Sequence, residues 1–402
     1  MLDVVTKLAQ KNDKKIVMVV ADGVGGLAKE PGGKTELETA NCPHLDGLAK
    51  RGISGLMNTV APGITPGSGP GHLGLFGYDP LQYLIGRGAL EATGIGENLG
   101  PNDVAIRCNF CTLDADGNIS DRRAGRIPTD ESTSIVKILN EDVQIDGVEV
   151  RVLPVMEHRF VVIFTAEGLG GGVLDTDPQK TGVPPLDPQP VGDCPLNKNT
   201  AKIAKEFYSQ AVKILKDQPK ANGCTMRGFS KKPDMPTFEE AYGLKAGAIA
   251  VYPMYRGLAS LVGMETVGSP KSLEEEVETL RDNWDDYDFF FLHWKYTDSR
   301  GEDGDFDAKV KMIEELDVLI PAIEALGPDV LIVTADHSTP AKLASHSWHP
   351  VPVTLVAEDA RIDPVQKFDE NAAICGGLGQ FRAVELMTLA LAHADKLAKY
   401  GA

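Results

Sequence analysis

Cysteine is scarce in this chain: six among 402 residues, at positions 42, 108, 111, 194, 224 and 375. That is too few for a disulfide framework at this length and fits a reducing compartment. Cys108-x-x-Cys111 has no second pair and lies in the apolar, strand-like run Val104 to Leu113, so it reads as two buried thiols. Positive charge is also short. Forty Lys and Arg against 58 Asp and Glu leave a net charge of −18. Nucleic acid and anionic membrane are thereby excluded as main partners, while an anionic small molecule is admissible where arginines gather or cations bind. There is no apolar run of about 18 residues to cross a bilayer. The segment from Met1 to Leu8 reads as a short amphipathic helix without the apolar stretch of a signal peptide, so a cytoplasmic location is expected. Internal repeats and low-complexity segments are missing too.

What is present is an ordinary globular composition, 42% hydrophobic and 24% charged, in a chain long enough for two domains or one domain with an insert. Ile16 to Ala21 is continuously apolar and ends at Asp22-Gly23-Val24-Gly25-Gly26, as a strand buried on both faces of a parallel sheet would. The second half repeats that design. Tyr287 to Trp294 is a strand running out near Asp298, and Lys309 to Leu326 has helical spacing despite Pro321. Asp329 to Ala335 is a strand ending at Asp336-His337, Val351 to Ala357 is another, and Ala383 to Tyr400 is a helix. This alternation predicts a doubly wound, mainly parallel α/β sheet. Between about Ile85 and Lys232 the pattern changes to glycines, prolines and short apolar runs (Val148 to Leu153, Phe160 to Thr165). A long irregular loop, Asp175 to Pro195, precedes a helix from Asn199 to Lys216. The expected organisation is a discontinuous core domain, 1–84 with 233–402, interrupted by an α+β insert, 85–232.

The segment Thr65-Pro66-Gly67-Ser68-Gly69-Pro70-Gly71-His72-Leu73 lifts one serine into a turn where a helix begins. Taken alone it reads first as an N-capped helix, and second as an activated nucleophile beside an anion site. Ligands of open α/β sheets sit beyond the carboxyl ends of the strands, where Asp22, Asp298, Asp336 and His337 are expected. Each lone Asp there could serve as a helix N-cap. Together with His346, nine residues beyond His337, they make a carboxylate and imidazole set suited to Mn²⁺, Mg²⁺ or Zn²⁺. The Gly23-to-Gly26 turn is only half of a dinucleotide fingerprint, and nucleotide binding is not expected there.

On these residues the chain resembles the alkaline phosphatase superfamily and, within it, cofactor-independent phosphoglycerate mutases of the archaeal type. The resemblance rests on the Asp22 opening, the TPGS…GHL elbow, DRRAGR, RGF…PTFEEAYGLKAGAIA, TD…GEDGDFDAK and TADHSTP…HSWHPVPV. It implies one cation on Asp22, Ser68, Asp336 and His337, and a second on Asp298, the residue four further on, and His346. The family has histidine at that fourth position. Here it is Glu302, either a ligand that hardens the site towards Mn²⁺ or Mg²⁺, or a residue outside the ligand shell with His349 or water in its place. The implied cofactors are two divalent cations, Mn²⁺ first, with Mg²⁺, Zn²⁺ or Co²⁺ as alternatives, and no 2,3-bisphosphoglycerate.

The resemblance further implies interconversion of 2- and 3-phosphoglycerate through a phosphoserine at Ser68, with an insert domain that excludes water. A small phosphorylated carboxylic acid calls for arginine forks. Arg107, Arg122, Arg123, Arg126, Arg159 and Arg227 of the insert, and Arg256 of the core, are the candidates, each also readable as a solvated surface residue. Asp175 and Asp177 are alternative acid/base residues, and His72 either orients Ser68 or packs the helix. The same site would also serve a metal-dependent phosphohydrolase, or a phosphotransferase acting on another small hydroxy or amino acid such as homoserine. Oligomeric state is left open.

Overall fold

The computed structural model describes residues 2–401. Its strands, in chain order, are β1 Ile16–Ala21, β2 Ile53–Asn58, β3 Asp103–Leu113, β4 Ile119–Asp121, β5 Glu149–Met156, β6 Arg159–Thr165, β7 Gly223–Ser230, β8 Ala246–Ala250, β9 Glu265–Thr266, β10 Phe289–Trp294, β11 Val330–Thr334, β12 Val351–Ala357 and β13 Gly379–Arg382. Residues through Leu84 together with those from Asp234 form one compact unit, and Ile85–Pro233 form a second. No helix among the described residues is long and apolar enough to cross a membrane.

The first unit is built on an eight-stranded sheet in the order β13-β2-β12-β11-β1-β10-β8-β9. β1 lies parallel to both β10 and β11, and β8 continues the parallel run. These four strands are buried at every position, which is why their sequences are apolar without alternation. β12 runs antiparallel to β11 and β2. It returns without a crossover helix, so the whole connection between β11 and β12 is free to form an irregular loop at one end of the sheet. The sheet is therefore the mainly parallel α/β architecture expected, with one reversed strand.

Two expectations need correction. The helix placed over Ala383 to Tyr400 is a 3₁₀ turn, Ala383–Glu385, and a short α-helix, Leu386–His393. Beyond it the chain turns at Asp395 (φ 52°) and bonds to the N-terminal segment, with Gln10 N donating to Lys396 O and Ala398 N to Leu8 O. Those tertiary bonds outweigh local helix propensity. Asp298 does not close a strand either; it lies in the helix Tyr296–Glu302, just past the end of β10.

The second unit is a five-stranded antiparallel sheet, β4-β3-β6-β5 with β7 on the other edge of β3. Residues of the helices Thr129–Asp142 and Pro195–Leu215, among them Leu139, Ala204 and Phe207, share a core with Phe110 and Phe160, whose rings stack at 4.2 Å. Cys108 and Cys111 are free and buried, and burial pushes both thiols up, away from reactivity.

One core residue of the first unit gives a stability prediction. Glu276 is fully buried; its Oε1 accepts from Val251 N at 2.8 Å, and its Oε2 has no partner. Burial raises its pKa well above the ordinary 4.5. The unfolded chain thus ionises first, and stability is lost as pH rises from that value towards the folded one. Glu276→Gln should remove this pH dependence and stabilise the protein at pH 7 by about 1 kcal/mol. Thermal melts of both proteins from pH 5 to 8 check it, and parallel pH profiles would refute it.

Candidate active site

The register of the three central strands assembles the first cluster. Ala21 pairs with Trp294, and Val20 with Thr334, so the residues just beyond β1, β10 and β11 emerge side by side. These are Asp22, Lys295 and the pair Asp336-His337. Asp22 and Asp336 are fully buried, as are His337 and Asp298. The loop after β2 contributes the helix Ser68–Leu75. A Cβ on Gly71 would meet Asp336 O at 2.4 Å, so glycine there lets the helix lie directly on the Asp336 backbone. Gly67 is the N-cap and no side chain caps this helix. The capping role considered for Ser68 is thereby set aside, and its hydroxyl lies 3.4 Å from His337 Nε2 and 3.5 Å from the Tyr255 hydroxyl.

Two sets of ligand atoms, each mutually within 4.8 Å, lie here: Asp22, Asp336 and His337; and Asp298, His337 and His346. His337 Nε2 is 3.3 Å from Asp22 Oδ1 and 3.1 Å from Asp336 Oδ2. His346 stacks on the His337 ring at 3.7 Å and brings its Nε2 to 3.5 Å from Asp298 Oδ1. Glu302 stands at the edge, its Oε1 3.7 Å from His346 Nε2 and its side chain 55% exposed. His349 is in neither set, and its Nδ1 lies 3.0 Å from the Ser347 hydroxyl.

Both carboxylate oxygens of Asp22, and Asp336 Oδ2, are buried and accept no well-aligned hydrogen bond. Orphaned buried oxygens beside neutral-capable imidazoles are the donor set of a divalent cation, and these residues fit one. The electrostatics agree. Burial works against ionised Asp336, but His337 and His72 outweigh it and hold its pKa well below the usual range. Burial likewise disfavours charged His337, yet Asp336, Asp22 and Asp298 raise it to about 9. The pocket carries surplus negative charge and draws cations to it.

Some of the surrounding residues were not singled out from the sequence. Lys295 pairs with Asp298 and lies 3.3 Å from Asp22 Oδ2. His293 Nε2 approaches Asp22 Oδ2 at 3.1 Å, and its ring stacks on Tyr255 at 3.5 Å. The sequence signal for Lys295 is a lysine directly after the apolar run of β10, at the strand end where ligands gather. His72 Nδ1 lies 2.9 Å from Ser68 O and 3.2 Å from Asp336 Oδ2, so it both packs the helix and ties it to a ligand.

The second unit carries the other cluster. Arg107 pairs across the sheet with Arg227, and Asn109 with Arg159. Alternation puts 107 and 109 on one face. The turn after β4 adds three more arginines. Asp121 accepts from Arg123 N at 2.8 Å and Gly125 N at 2.7 Å, holding Ala124, Gly125 and Arg126 at left-handed φ of 47°, 63° and 50°. Successive left-handed residues are strained, and here the strain gathers charge. Arg107, Arg122, Arg123, Arg126, Arg159 and Arg227, with Asn109, His158 and Glu157, line one cavity of about 280 Å³. Arg122 forms a bidentate pair with Asp177 at 3.1 and 2.7 Å. Asp175 accepts from Gly228 N at 2.8 Å and faces Arg227 Nε at 3.3 Å. Arg256, in the first unit, donates to Gly268 O at 2.9 Å, a structural bond.

Comparison with known proteins bears on this arrangement. A family model described as 2,3-bisphosphoglycerate-independent phosphoglycerate mutase matches residues 49–221. A relative from Thermus thermophilus, named "Probable 2,3-bisphosphoglycerate-independent phosphoglycerate mutase", is 52% identical over 99% of both chains. One of the same name from Thermotoga neapolitana is 53% identical over 99% of this chain and 98% of its own. Among solved structures, a cofactor-independent phosphoglycerate mutase from Thermoplasma acidophilum superposes with a TM-score of 0.73 at 28% identity, covering 95% of this chain and all of its own. A Pyrococcus horikoshii protein reaches 0.82 at the same identity, covering 98% of this chain. The chain belongs to the family of 2,3-bisphosphoglycerate-independent phosphoglycerate mutases.

Proposed function

We propose that this protein interconverts 2- and 3-phosphoglycerate through a phosphoserine at Ser68. The observation that carries the reading is Ser68 Oγ, free of any capping bond, beside His337 in a buried Asp and His cluster. Two divalent cations, Mn²⁺ first, one held by Asp22, Ser68, Asp336 and His337 and the other by Asp298 and His346 with Glu302 at the rim, would lower the serine hydroxyl pKa and neutralise phosphoryl charge. Ser68 Oγ, having given up its proton, attacks phosphorus in line as the P–O bond to the glycerate breaks and the departing oxygen takes a proton; the phosphoryl group stays on Ser68 while the glycerate turns. The other glycerate hydroxyl then takes the group back, so no 2,3-bisphosphoglycerate is required. His72 keeps the serine turn and Asp336 in register, and Lys295 adds a fixed cation beside two ligands. A cytoplasmic place for this reaction is part of the proposal.

The arginine cavity of the second unit is assigned to the carboxylate and phosphate of the substrate, since guanidinium forks match both. Asp177 has both oxygens engaged, and although burial acts against its charge, Arg122 holds its pKa below the usual range. Asp175 is the more accessible carboxylate beside Arg227, with 39% of its side chain exposed, and is assigned the acid/base role on the substrate hydroxyl.

Purified protein with Mn²⁺ and 3-phosphoglycerate, without bisphosphoglycerate, should support enolase-coupled turnover without net phosphate release. Phosphate release without 2-phosphoglycerate would replace the mutase by a phosphohydrolase. Arg159 lines the cavity from a strand and pairs with no carboxylate among the described residues. Arg159→Met should therefore lower kcat/KM by about 10–100-fold, the worth of one charged hydrogen bond, with the melting temperature unchanged. Steady-state kinetics check this, and an unaltered kcat/KM would remove Arg159 from the substrate site.

A further inference from the structure

The helix Phe306–Glu324 presents a buried stripe of Phe306, Lys309, Ile313, Leu316, Ile320 and Ile323. A lysine in that stripe is out of place, since long charged side chains are almost never fully buried unpaired. Lys309 is nevertheless 0% exposed. Its ammonium has three donors, and all three are spent on backbone carbonyls: Gly23 O at 2.9 Å, Gly25 O at 3.0 Å and Thr339 O at 2.8 Å.

Those carbonyls belong to the two loops that carry ligands. Gly23 follows Asp22, and Thr339 lies two residues beyond His337. Thr339 N also donates to Gly23 O and Gly25 O, at 3.2 and 3.1 Å. Two carboxylates complete the arrangement. Glu36 accepts from Leu27 N at 3.0 Å and Ala341 N at 2.7 Å, and so spans the same two loops. Glu370 accepts from Gly26 N at 2.6 Å and from the Thr35 hydroxyl at 2.8 Å. Burial lowers the Lys309 pKa, and the charges of Glu36 and Glu370 offset that only in part. None of the three side chains is among the candidate ligands.

We propose that Lys309 is a positioning residue for the cation site. Its ammonium draws the Asp22 loop and the His337 loop together at the separation that lets both chelate one ion, and Glu36 and Glu370 brace the same loops through their backbone N–H groups. Outer residues that fix ligand orientation commonly govern affinity by 10–100-fold. The inference rests on the two-cation reading of that site.

The test uses Lys309→Met and Glu370→Gln in the full chain. Mn²⁺ binding is measured by titration calorimetry, and folding by circular dichroism and melting in chelator. The wild-type chain should bind two Mn²⁺. Folded Lys309→Met should bind at least about tenfold more weakly. At limiting Mn²⁺ its kcat should fall while KM for 3-phosphoglycerate holds, and kcat should recover as Mn²⁺ is raised. Glu370→Gln keeps the ammonium and should show a smaller fall in affinity. Wild-type Mn²⁺ affinity in folded Lys309→Met overturns the proposal. If that variant does not fold, Glu370→Gln decides, and unchanged affinity there overturns it equally. A wild-type chain that binds no Mn²⁺ removes the cation site itself and this inference with it.

Discussion

Ser68→Ala should lower mutase turnover by at least about 10⁴-fold while leaving the fold intact, the scale on which removing a nucleophile acts. The selectivity follows from how little structure the hydroxyl supports. It makes no helix cap, and its contacts are long, 3.4 Å to His337 and 3.5 Å to Tyr255. Its loss should therefore change stability by no more than about 0.5 kcal/mol. A rapidly quenched wild-type reaction should carry phosphate on Ser68 by mass spectrometry, and the variant should carry none. Turnover surviving in a folded Ser68→Ala protein would mean that the phosphoryl group never rests on this residue. That outcome would remove the proposed mechanism while leaving the arginine cavity in place.

The parts legible in the sequence share a physical cause. β1, β10 and β11 are buried on both faces, so their apolar runs stand out, and a polar residue directly after such a run marks the strand end where ligands gather. That rule brought Asp22, Asp336 and His337 into view before any coordinates. Lys295 obeyed it equally, but a lysine after a strand also reads as an ordinary solvated residue. His293 was hidden within the strand itself. Lys309 shows a different limit. Its place on the apolar stripe is visible at helical spacing, yet the carbonyls that justify it come from loops around residues 24 and 339, which only the fold unites. The end of the helix placed over Ala383 to Tyr400 was misread because backbone bonds to residues 8–10 are invisible to local propensity. In the second unit the arginines were readable as a cluster, whereas the bidentate use of Asp177 depended on the path of the long loop from Asp175 to Pro195.

Removal of divalent cations should abolish activity and also lower the melting temperature, and the second effect tests the site independently of the reaction. Asp22, Asp298 and Asp336 are buried within one cluster, where Lys295 and the histidines offset part of their charge. Like charges held together away from water are costly, and an ion that binds only the folded chain offsets that cost by mass action. At a hundredfold excess over Kd one site contributes about 2.7 kcal/mol. In a chain of this size that corresponds to a shift on the order of 5 °C. Melting after chelation, then with Mn²⁺ restored, should show this rise saturating with the ion together with recovery of turnover. The Asp336→Asn variant separates this from nonspecific ion effects. It removes one buried charge and one ligand of the first ion, so its melting temperature in chelator should match or exceed that of the wild type, while its response to Mn²⁺ falls to the part contributed by the second site. Full activity after chelation, or an equal Mn²⁺ response in Asp336→Asn, would show that the buried carboxylates hold their ground without an ion and that Lys295 and the histidines suffice to balance them.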